Sequence, residues 1–283
     1  MPTHSLFSMR PLGGSLMLVA ALLMPAAAAH AAITLAVSEG TSGGLDNIGY
    51  NAFLKYQALV DILAKATMQP AQIITVPSFA ELAAGAKAHR YDFIFARPSN
   101  YPAQAMRSDG YQFVATARPD GQCWIVAPKG SPIADLKQTA GRRWVMPQKV
   151  SYMARFCAAA LRDAGVDMAR QSVQYTHSQG AVLSALDHGM ADVGGVASYG
   201  SGVDKWLMHS GRVIFKSPSQ PYFPLVAGPN ISARQVQDIQ KSLLGLSDSA
   251  GGQAALKRMG ITGFDTTTRT SLSRLLDWLG AEP

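Results

Sequence analysis

Residues 141–165 read GRRWVMPQKVSYMARFCAAALRDAG, and this stretch contains the local pattern that decides the fold. Its first part, Arg143 to Met146, predicts the end of a short buried strand, and Pro147 to Val150 predicts a turn. Ser151 is a suitable N-cap for a helix whose apolar positions recur at helical spacing, and Gly165 is a suitable stop. The first backbone N–H groups of such a helix lack intrahelical partners, and the helix dipole is positive there. The stretch therefore predicts an anion-binding site at the start of this helix.

Strands and helices alternate on both sides of this stretch. Three predicted strands, each followed by a helix, precede it, which is typical of a parallel sheet covered on both faces. A second strand–helix–strand–helix–strand set begins with the stretch itself. The alternation is interrupted near residues 117–122 and 216–221, which predicts two crossings between lobes. We therefore predict an α/β fold of two lobes, each a mostly parallel sheet flanked by helices, joined by a two-segment hinge. Lobe one is expected to comprise residues 32–117 and 218–283, and lobe two residues 118–217.

The sequence also makes two local predictions. A helix from about Ile48 is expected to bury Phe53, Tyr56, Val60 and Leu63 on one face. Residues 118–121, which read Arg-Pro-Asp-Gly, are expected to separate two strands.

The composition is that of an ordinary globular chain with a basic excess. The 283 residues are 48% hydrophobic and 15% charged, and the formal net charge is +7. The 25 Lys and Arg residues are scattered, with no run longer than Arg142-Arg143 and no basic stripe with interleaved aromatics. This distribution argues against a nucleic-acid partner and favours an anionic small ligand. No spacing of His, Cys or carboxylates matches a metal site, and no phosphate-binding loop motif occurs, so we expect neither a metal nor a cofactor.

The N-terminal residues have the pattern of an export signal. Arg10 precedes an apolar run from Leu12 to Ala29, and Ala29-His30-Ala31 places small residues at the cleavage-site positions. A membrane anchor is the alternative, but two glycines and a proline interrupt the run. We predict a signal peptide over residues 1–31, cleaved near Ala31, and an exported periplasmic protein.

The two cysteines, Cys123 and Cys157, both fall in the predicted lobe two. An oxidising compartment permits a disulfide between them. Buried free thiols are also common in such helices, so the sequence leaves both states open.

Several spaced segments together resemble a known family, the type II periplasmic binding proteins of ABC transporters, and in particular their phosphate/phosphite/phosphonate-binding branch. The resemblance extends over nearly all of residues 33–246. The segments that carry it are Tyr91-Asp92-Phe93 with Arg97-Pro98-Ser99-Asn100-Tyr101, Val126 to Leu136, Gly141 to Val145, Ser151-Tyr152-Met153-Ala154, Gln179 to Val193, and Val213 to Lys216.

The resemblance implies a function as well as a fold. It implies a binding protein rather than an enzyme, which holds a small phosphonate-, phosphite- or phosphate-like oxyanion between its lobes by hinge closure. It also implies an ABC permease in the inner membrane as partner, and a monomer. The anion loop of the family usually reads Ser-Thr-Ser-Gly, and the corresponding run here is Ser151-Tyr152-Met153-Ala154. Tyr152 and Met153 therefore suggest a different or larger ligand.

The candidate ligand residues lie after predicted strands or at predicted helix starts. For Arg97 the alternative is an ion pair with Glu39 or another acid, and for Tyr101 it is a core or surface position. His177 is alternatively an ordinary loop histidine. The candidates are Ser38, Thr41, Ser42, Arg97, Ser99, Tyr101, Ser151, Tyr152, Met153, His177 and Tyr199.

Two other functions are compatible with parts of the sequence. A periplasmic protein of this kind could present its ligand to a membrane sensor kinase instead of a permease. Residues 40–44 match G-x-S-x-G, which would make Ser42 the nucleophile of a serine hydrolase. Only one strand precedes this motif, and no histidine lies in a telling context, so we expect a flexible loop of the ligand cleft instead.

Overall fold

The computed structural model describes residues 1, 32–39, 50–200 and 202–280. The described residues from 32 onwards belong to one compact unit. The predicted signal peptide and the loop with Thr41 and Ser42 lie outside the described residues. Among the helices that are described, none combines the length and the apolar character needed to cross a membrane.

Strands and helices alternate along the described chain, as predicted. The strands are β1 (Ile33–Ser38), β2 (Ala71–Thr75), β3 (Phe93–Ala96), β4 (Gln112–Gly121), β5 (Cys123–Pro128), β6 (Arg143–Pro147), β7 (Ser172–Thr176), β8 (Val193–Ala197), β9 (Gly211–Lys216), β10 (Gln220–Ala227) and β11 (Gly263–Asp265). The α-helices are α1 (Tyr50–Thr67), α2 (Phe79–Lys87), α3 (Asn100–Ser108), α4 (Tyr152–Asp163), α5 (Gln179–Asp187), α6 (Val203–His209), α7 (Ala233–Leu244), α8 (Ala250–Met259) and α9 (Arg269–Leu279).

The strands form two mixed sheets. The first sheet has six strands in the order β11-β4-β10-β3-β1-β2, and the second has five in the order β7-β6-β8-β5-β9. In each sheet three strands run parallel, namely β2, β1 and β3 in the first and β7, β6 and β8 in the second. The remaining strands are antiparallel to their neighbours. The predicted α/β fold is thus present, with more antiparallel pairing than the sequence indicated.

The chain passes between the sheets at two places. It leaves the first sheet at the end of β4 and enters the second at β5, and it returns between β9 and β10. The two passages are tied together, because Cys123 N donates to Ser217 Oγ at 2.9 Å and Gln122 Nε2 donates to Ser217 O at 2.9 Å. Both passages coincide with the predicted crossings. The prediction that residues 118–121 separate two strands is wrong, because β4 continues to Gly121 by pairing with β10 and β11.

Helix α1 packs on the first sheet through the face that was predicted, with one exception. Tyr56, Val60 and Leu63 are buried in one cluster with Leu35 and Phe93. Phe53 is exposed instead. The buried face runs from Ala52 through Leu59 and so is rotated away from Phe53.

Two adjacent glycines allow helices to pack closely on both faces of the second sheet. A Cβ on Gly194 would lie 2.7 Å from Val182 of α5, and a Cβ on Gly195 would lie 2.5 Å from Met146 Sδ and 3.3 Å from Cys157 Sγ of α4. Side chains at these positions of β8 would therefore displace α4 and α5.

A disulfide joins Cys123 of β5 to Cys157 of α4. Its Cα atoms are 5.3 Å apart, which is within the usual range for a bridge. Both residues are fully buried, so the bridge fixes the position of α4 on the second sheet. The structure thus decides between the two states that the sequence left open.

The last helix, α9, contacts one helix that follows a strand of the first sheet and one that follows a strand of the second. Arg107 of α3 forms an ion pair with Asp277 at 2.8 Å, whereas Trp278 Nε1 donates to Asp163 of α4 at 2.6 Å. Leu272 and Leu275 are buried in the cluster that contains the disulfide. Helix α9 therefore bridges α3 and α4, the two helices whose starts are described next.

Candidate functional site

The start of α4, a helix that packs on the second sheet, contacts residues connected to the first sheet. Ser151 is its N-cap, and the Ser151 side chain accepts a hydrogen bond from Ala154 N at 3.2 Å, as the sequence predicted. Tyr152, the first residue of the helix, is buried, and burial raises the pKa of its phenol while the side chain of Ser99, the N-cap of α3, lies close enough to act against this increase. Ser99 Oγ in turn donates to Pro221 O at 2.8 Å. The start of α3, which follows a strand of the first sheet, and the start of α4, which follows a strand of the second, thus meet through the Tyr152–Ser99 contact.

A second contact between the sheets is made by two tyrosines. Tyr199 follows β8 of the second sheet, Tyr222 belongs to β10 of the first, and their ring centroids are 4.4 Å apart. Gly121 makes room for this pair, since a Cβ there would lie 2.9 Å from Cε1 of Tyr199. Burial raises the pKa of the Tyr199 phenol well above its usual value, and the nearby Tyr152 and Tyr222 raise it further. Tyr199 therefore stays neutral and can donate a hydrogen bond.

An ion cluster occupies the end of β1. Glu39 Oε1 accepts hydrogen bonds from Lys55 Nζ at 2.6 Å and from the Tyr56 hydroxyl, and Glu39 Oε2 accepts from Arg97 Nη2 at 3.1 Å. Arg97 Nη1 donates to the Tyr222 hydroxyl at 2.9 Å. The ion pair with Glu39, which the sequence left as an alternative for Arg97, is therefore present.

The cluster affects the ionisation of Glu39. Burial acts to raise its pKa, but the hydrogen bonds from Lys55 and Tyr56 and the positive charges of Lys55 and Arg97 together lower it below the ordinary 4.5. A carboxylate with a lowered pKa in the folded state stabilises the fold at every pH above its unfolded pKa. This contribution is lost as the pH falls through the folded pKa, so the cluster is intact at neutral pH.

Two buried polar atoms beside this cluster have no hydrogen-bond partner in the described part of the chain. They are Ser38 Oγ and Arg97 Nε. Ser38 is 2% exposed and ends β1, and Arg97 N donates to Ser38 O at 2.9 Å, so the two residues are neighbours at the carboxyl edge of the first sheet. Unpaired buried polar groups are costly, and they require an explanation where a protein retains them. A bound group that accepts both hydrogen bonds would provide one.

The structure separates the predicted site residues into three groups. Those brought together between the sheets are Ser38, Arg97, Ser99, Ser151, Tyr152 and Tyr199. Tyr101 stacks on Phe79 with a centroid distance of 4.9 Å, Met153 is buried in the core around Cys157, and His177 is exposed with its Nδ1 3.3 Å from Gln148 Nε2. Thr41 and Ser42 lie outside the described residues.

Three site residues, Lys55, Tyr56 and Tyr222, were missed by the sequence analysis. Tyr56 was assigned to the core only, although its hydroxyl is a Glu39 partner. Tyr222, which follows the crossing predicted at residues 216–221, was not considered, and its contact with Arg97 joins positions 125 residues apart. The only available signal was a tyrosine directly after a predicted crossing.

A separate cavity of about 450 Å³ lies on the outer side of α4, and Ala158, Arg162, Met168 and Leu279 are among its lining residues. None of the candidate ligand residues lines it. We therefore place the candidate site between the sheets rather than in this cavity.

The comparisons with known proteins assign the family. Residues 51–272 match the family described as the periplasmic substrate-binding protein of the phosphonate ABC transporter. The chain belongs to this family. It is therefore a substrate-binding transport component rather than an enzyme, and its family partner is an ABC permease. No curated protein sequence matches this binding protein closely enough to count as a relative.

Solved structures with the same fold have low sequence identity to this binding protein. XAC2383 from Xanthomonas citri, solved with ATP bound, is 16% identical with a TM-score of 0.65, covering 87% of this chain and 96% of that one. PhnD1 from Prochlorococcus marinus in complex with methylphosphonate is 14% identical with a TM-score of 0.62, covering 87% and 96%. The aliphatic sulphonate binding protein SsuA from Escherichia coli is 16% identical with a TM-score of 0.54, covering 89% and 84%. These likenesses confirm the type II periplasmic binding protein fold.

The contact between Tyr199 and Tyr222 can be tested at Gly121. In Gly121→Ala the added Cβ displaces the Tyr199 ring, which weakens the junction between the sheets. We expect ligand affinity to fall by about 1 kcal/mol or more, roughly fivefold, as measured by calorimetry. The matched control is Gly130→Ala, because no atom lies within 4 Å of a Cβ there. Wild-type affinity in Gly121→Ala would show that the tyrosine pair does not contribute to the bound state.

Proposed function

We propose that this binding protein is the receptor of an ABC uptake system for a small oxyanion of the phosphonate, phosphite or phosphate type. The observation that supports this most strongly is the convergence of two helix starts at the Tyr152–Ser99 contact, beside Ser38 Oγ and Arg97 Nε, which have no hydrogen-bond partner among the described residues. A helix start and a guanidinium are both groups that bind oxyanions well.

The proposed binding mode uses groups from both sides. The residues that carry the first sheet (32–117 and 218–283) form lobe one, which supplies Ser38 Oγ, Arg97 Nε and Ser99. Residues 118–217 form lobe two, which supplies Tyr199 and the amides of Tyr152 and Met153 at the start of α4. A ligand held by both lobes is bound fully only when they are closed, so binding shifts the equilibrium towards closure about the two passages.

The closed, ligand-bound form is then the species that docks on the permease. We propose that the protein acts as a monomer and is exported by a signal peptide cleaved after Ala31. The intact mass of protein isolated from the periplasm should then correspond to residues 32–283. A mass that retains residues 1–31 would exclude this cleavage.

Isothermal titration calorimetry tests the ligand class. We expect methylphosphonate, phosphite or phosphate to bind with a dissociation constant of about 1 µM or lower, which corresponds to about 8 kcal/mol. Binding should be lost in Ser38→Ala or Tyr152→Ala and retained in a variant of a fully solvent-facing residue such as Arg170→Ala, whose side chain is 85% exposed. Absence of heat with all three anions would remove the phosphorus assignment, although not the family.

A further inference from the structure

Asn100 is a buried polar residue at the start of α3 that the proposed binding mode does not use. It is 8% exposed, and its side-chain oxygen Oδ1 has no hydrogen-bond partner among the described residues. An amide oxygen is a hydrogen-bond acceptor, and its burial without a donor costs free energy. The Asn100 side chain therefore requires a donor that the described part of the chain does not supply.

The position of Asn100 in the fold places its amide at the same edge as Ser38 and Arg97. Ser38 lies opposite Ala96 in the pairing of β1 with β3, and α3 begins with Asn100 shortly after that strand ends. The Cα–Cβ bond of a helical residue is tilted towards the N-terminus of the helix, so the side chain of the first residue extends towards the helix start. The carboxyl edge of the first sheet thus carries Asn100 Oδ1 together with Ser38 Oγ and Arg97 Nε.

The buried polar atoms without partners are concentrated at this edge. Seven such side-chain atoms occur in the described part of the chain, and three of them belong to Ser38, Arg97 and Asn100. Tyr152, from the start of α4, contacts Ser99, the residue directly before Asn100. A bound group that supplies the missing partners would explain why the three atoms occur together.

The three atoms differ in the partner that each requires. Arg97 Nε donates and needs an acceptor, the Ser38 hydroxyl can donate or accept, and Asn100 Oδ1 can only accept. An oxyanion whose oxygens are all deprotonated offers acceptors alone, so it would place an oxygen against the Asn100 oxygen. An oxyanion that keeps one hydroxyl offers a donor as well. The set of three atoms therefore matches an oxyanion that carries an O–H group.

We propose that Asn100 is a further ligand residue, whose Oδ1 accepts a hydrogen bond from a hydroxyl group of the bound oxyanion. The protein thereby selects phosphorus oxyanions that keep a P–OH group over sulfonates, which have none. The inference rests on the proposed function, since it assumes that the oxyanion is bound between Ser38 and the start of α4. It goes further in naming the residue that distinguishes a phosphonate from a sulfonate of the same shape.

The test compares methylphosphonate with methanesulfonate by calorimetry at about pH 5. A phosphoryl group loses its second proton only at about pH 6 or above, so both probes are mainly tetrahedral monoanions of similar size. They differ in that one oxygen of methylphosphonate carries a hydrogen. We expect the wild-type protein to bind methylphosphonate about tenfold or more tightly, because a site that accepts a hydrogen bond from a ligand hydroxyl rejects an analogue that lacks it.

Two variants assign this selectivity to Asn100. Asn100→Leu removes the acceptor at similar side-chain size, so methylphosphonate affinity should fall about tenfold while methanesulfonate affinity is retained or rises. The ratio of the two affinities should then approach one. Gln104→Leu is the matched control, because Gln104 is an exposed amide on the same helix, where its Nε2 donates to Ser108 Oγ at 2.7 Å. We expect this variant to keep the wild-type ratio.

The outcomes separate this inference from the proposed function. Wild-type protein that binds methylphosphonate but holds methanesulfonate equally tightly would overturn the selection and leave the proposed function in place, and this measurement does not depend on the folding of any variant. An unchanged ratio in Asn100→Leu that is folded by circular dichroism would remove Asn100 as the selecting residue, whether both affinities stay the same or fall equally. Absence of binding with every phosphorus anion would instead remove the proposed function, and the inference with it.

Discussion

Arg97→Ala is expected to reduce oxyanion affinity by about 2–5 kcal/mol, which brings binding close to the limit of detection by calorimetry. The guanidinium provides the charge and an Nε that has no partner in the described part of the chain, and its removal also leaves Glu39 without one of its partners. The site would then carry one positive charge fewer than in the wild type, so it would attract an anion less strongly.

Two further variants distinguish binding from folding in this experiment. Arg97→Lys keeps the charge but loses Nε and the planar fork, so its affinity should lie between those of the wild type and Arg97→Ala. The Arg170→Ala variant lacks an exposed arginine that lies shortly before β7, and it should bind the oxyanion with wild-type affinity. If Arg97→Ala is folded by circular dichroism and binds with wild-type affinity, Arg97 is not a ligand residue.

Removal of the disulfide is expected to have the largest effect on stability. The bridge closes a loop between positions that are 34 residues apart, which corresponds to about 3–4 kcal/mol of loop-closure entropy in the unfolded chain. For a chain of this size we expect the unfolding temperature of Cys123→Ala/Cys157→Ala to fall by about 10 °C. Ligand affinity should fall too, because the bridge holds the helix that begins with Tyr152.

Reduction provides an independent check of the bridge. A thiol reductant should lower the unfolding temperature of the wild-type protein towards that of the double variant and leave the double variant unchanged. If complete reduction, verified by thiol labelling, leaves the wild-type unfolding temperature unchanged, the bridge does not stabilise the native fold.

The parts of the fold that depend on local sequence could be predicted. The cap at Ser151 depends on residues within one helical turn, and the structure contains its hydrogen bond to Ala154. The two passages between sheets follow from interruptions in the alternation of strands and helices. The continuation of β4 to Gly121 could not be predicted, because it requires pairing with β10 and β11, which lie 99 or more residues away from Gly121.

The candidate site likewise contains residues that could be predicted from the sequence and residues that could not. Residues that follow strands, such as Ser38 and Arg97, could be proposed because the carboxyl ends of parallel strands converge. The contribution of Tyr222 could not, since the antiparallel strand that carries it approaches Arg97 only in the folded chain. The contact of Tyr152 with Ser99 is likewise made only in the folded chain and does not follow from the local sequence.

The central claim is that an oxyanion is held between the two sheets by Ser38 and Arg97 on one side and the start of α4 on the other. A crystal structure of the protein with methylphosphonate tests this most directly. The account predicts phosphonate oxygens within hydrogen-bond distance of Ser38 Oγ and Arg97 Nε and of the amides of Tyr152 and Met153. A phosphonate bound by residues of one sheet alone, or in the cavity beside Ala158 and Leu279, would contradict it.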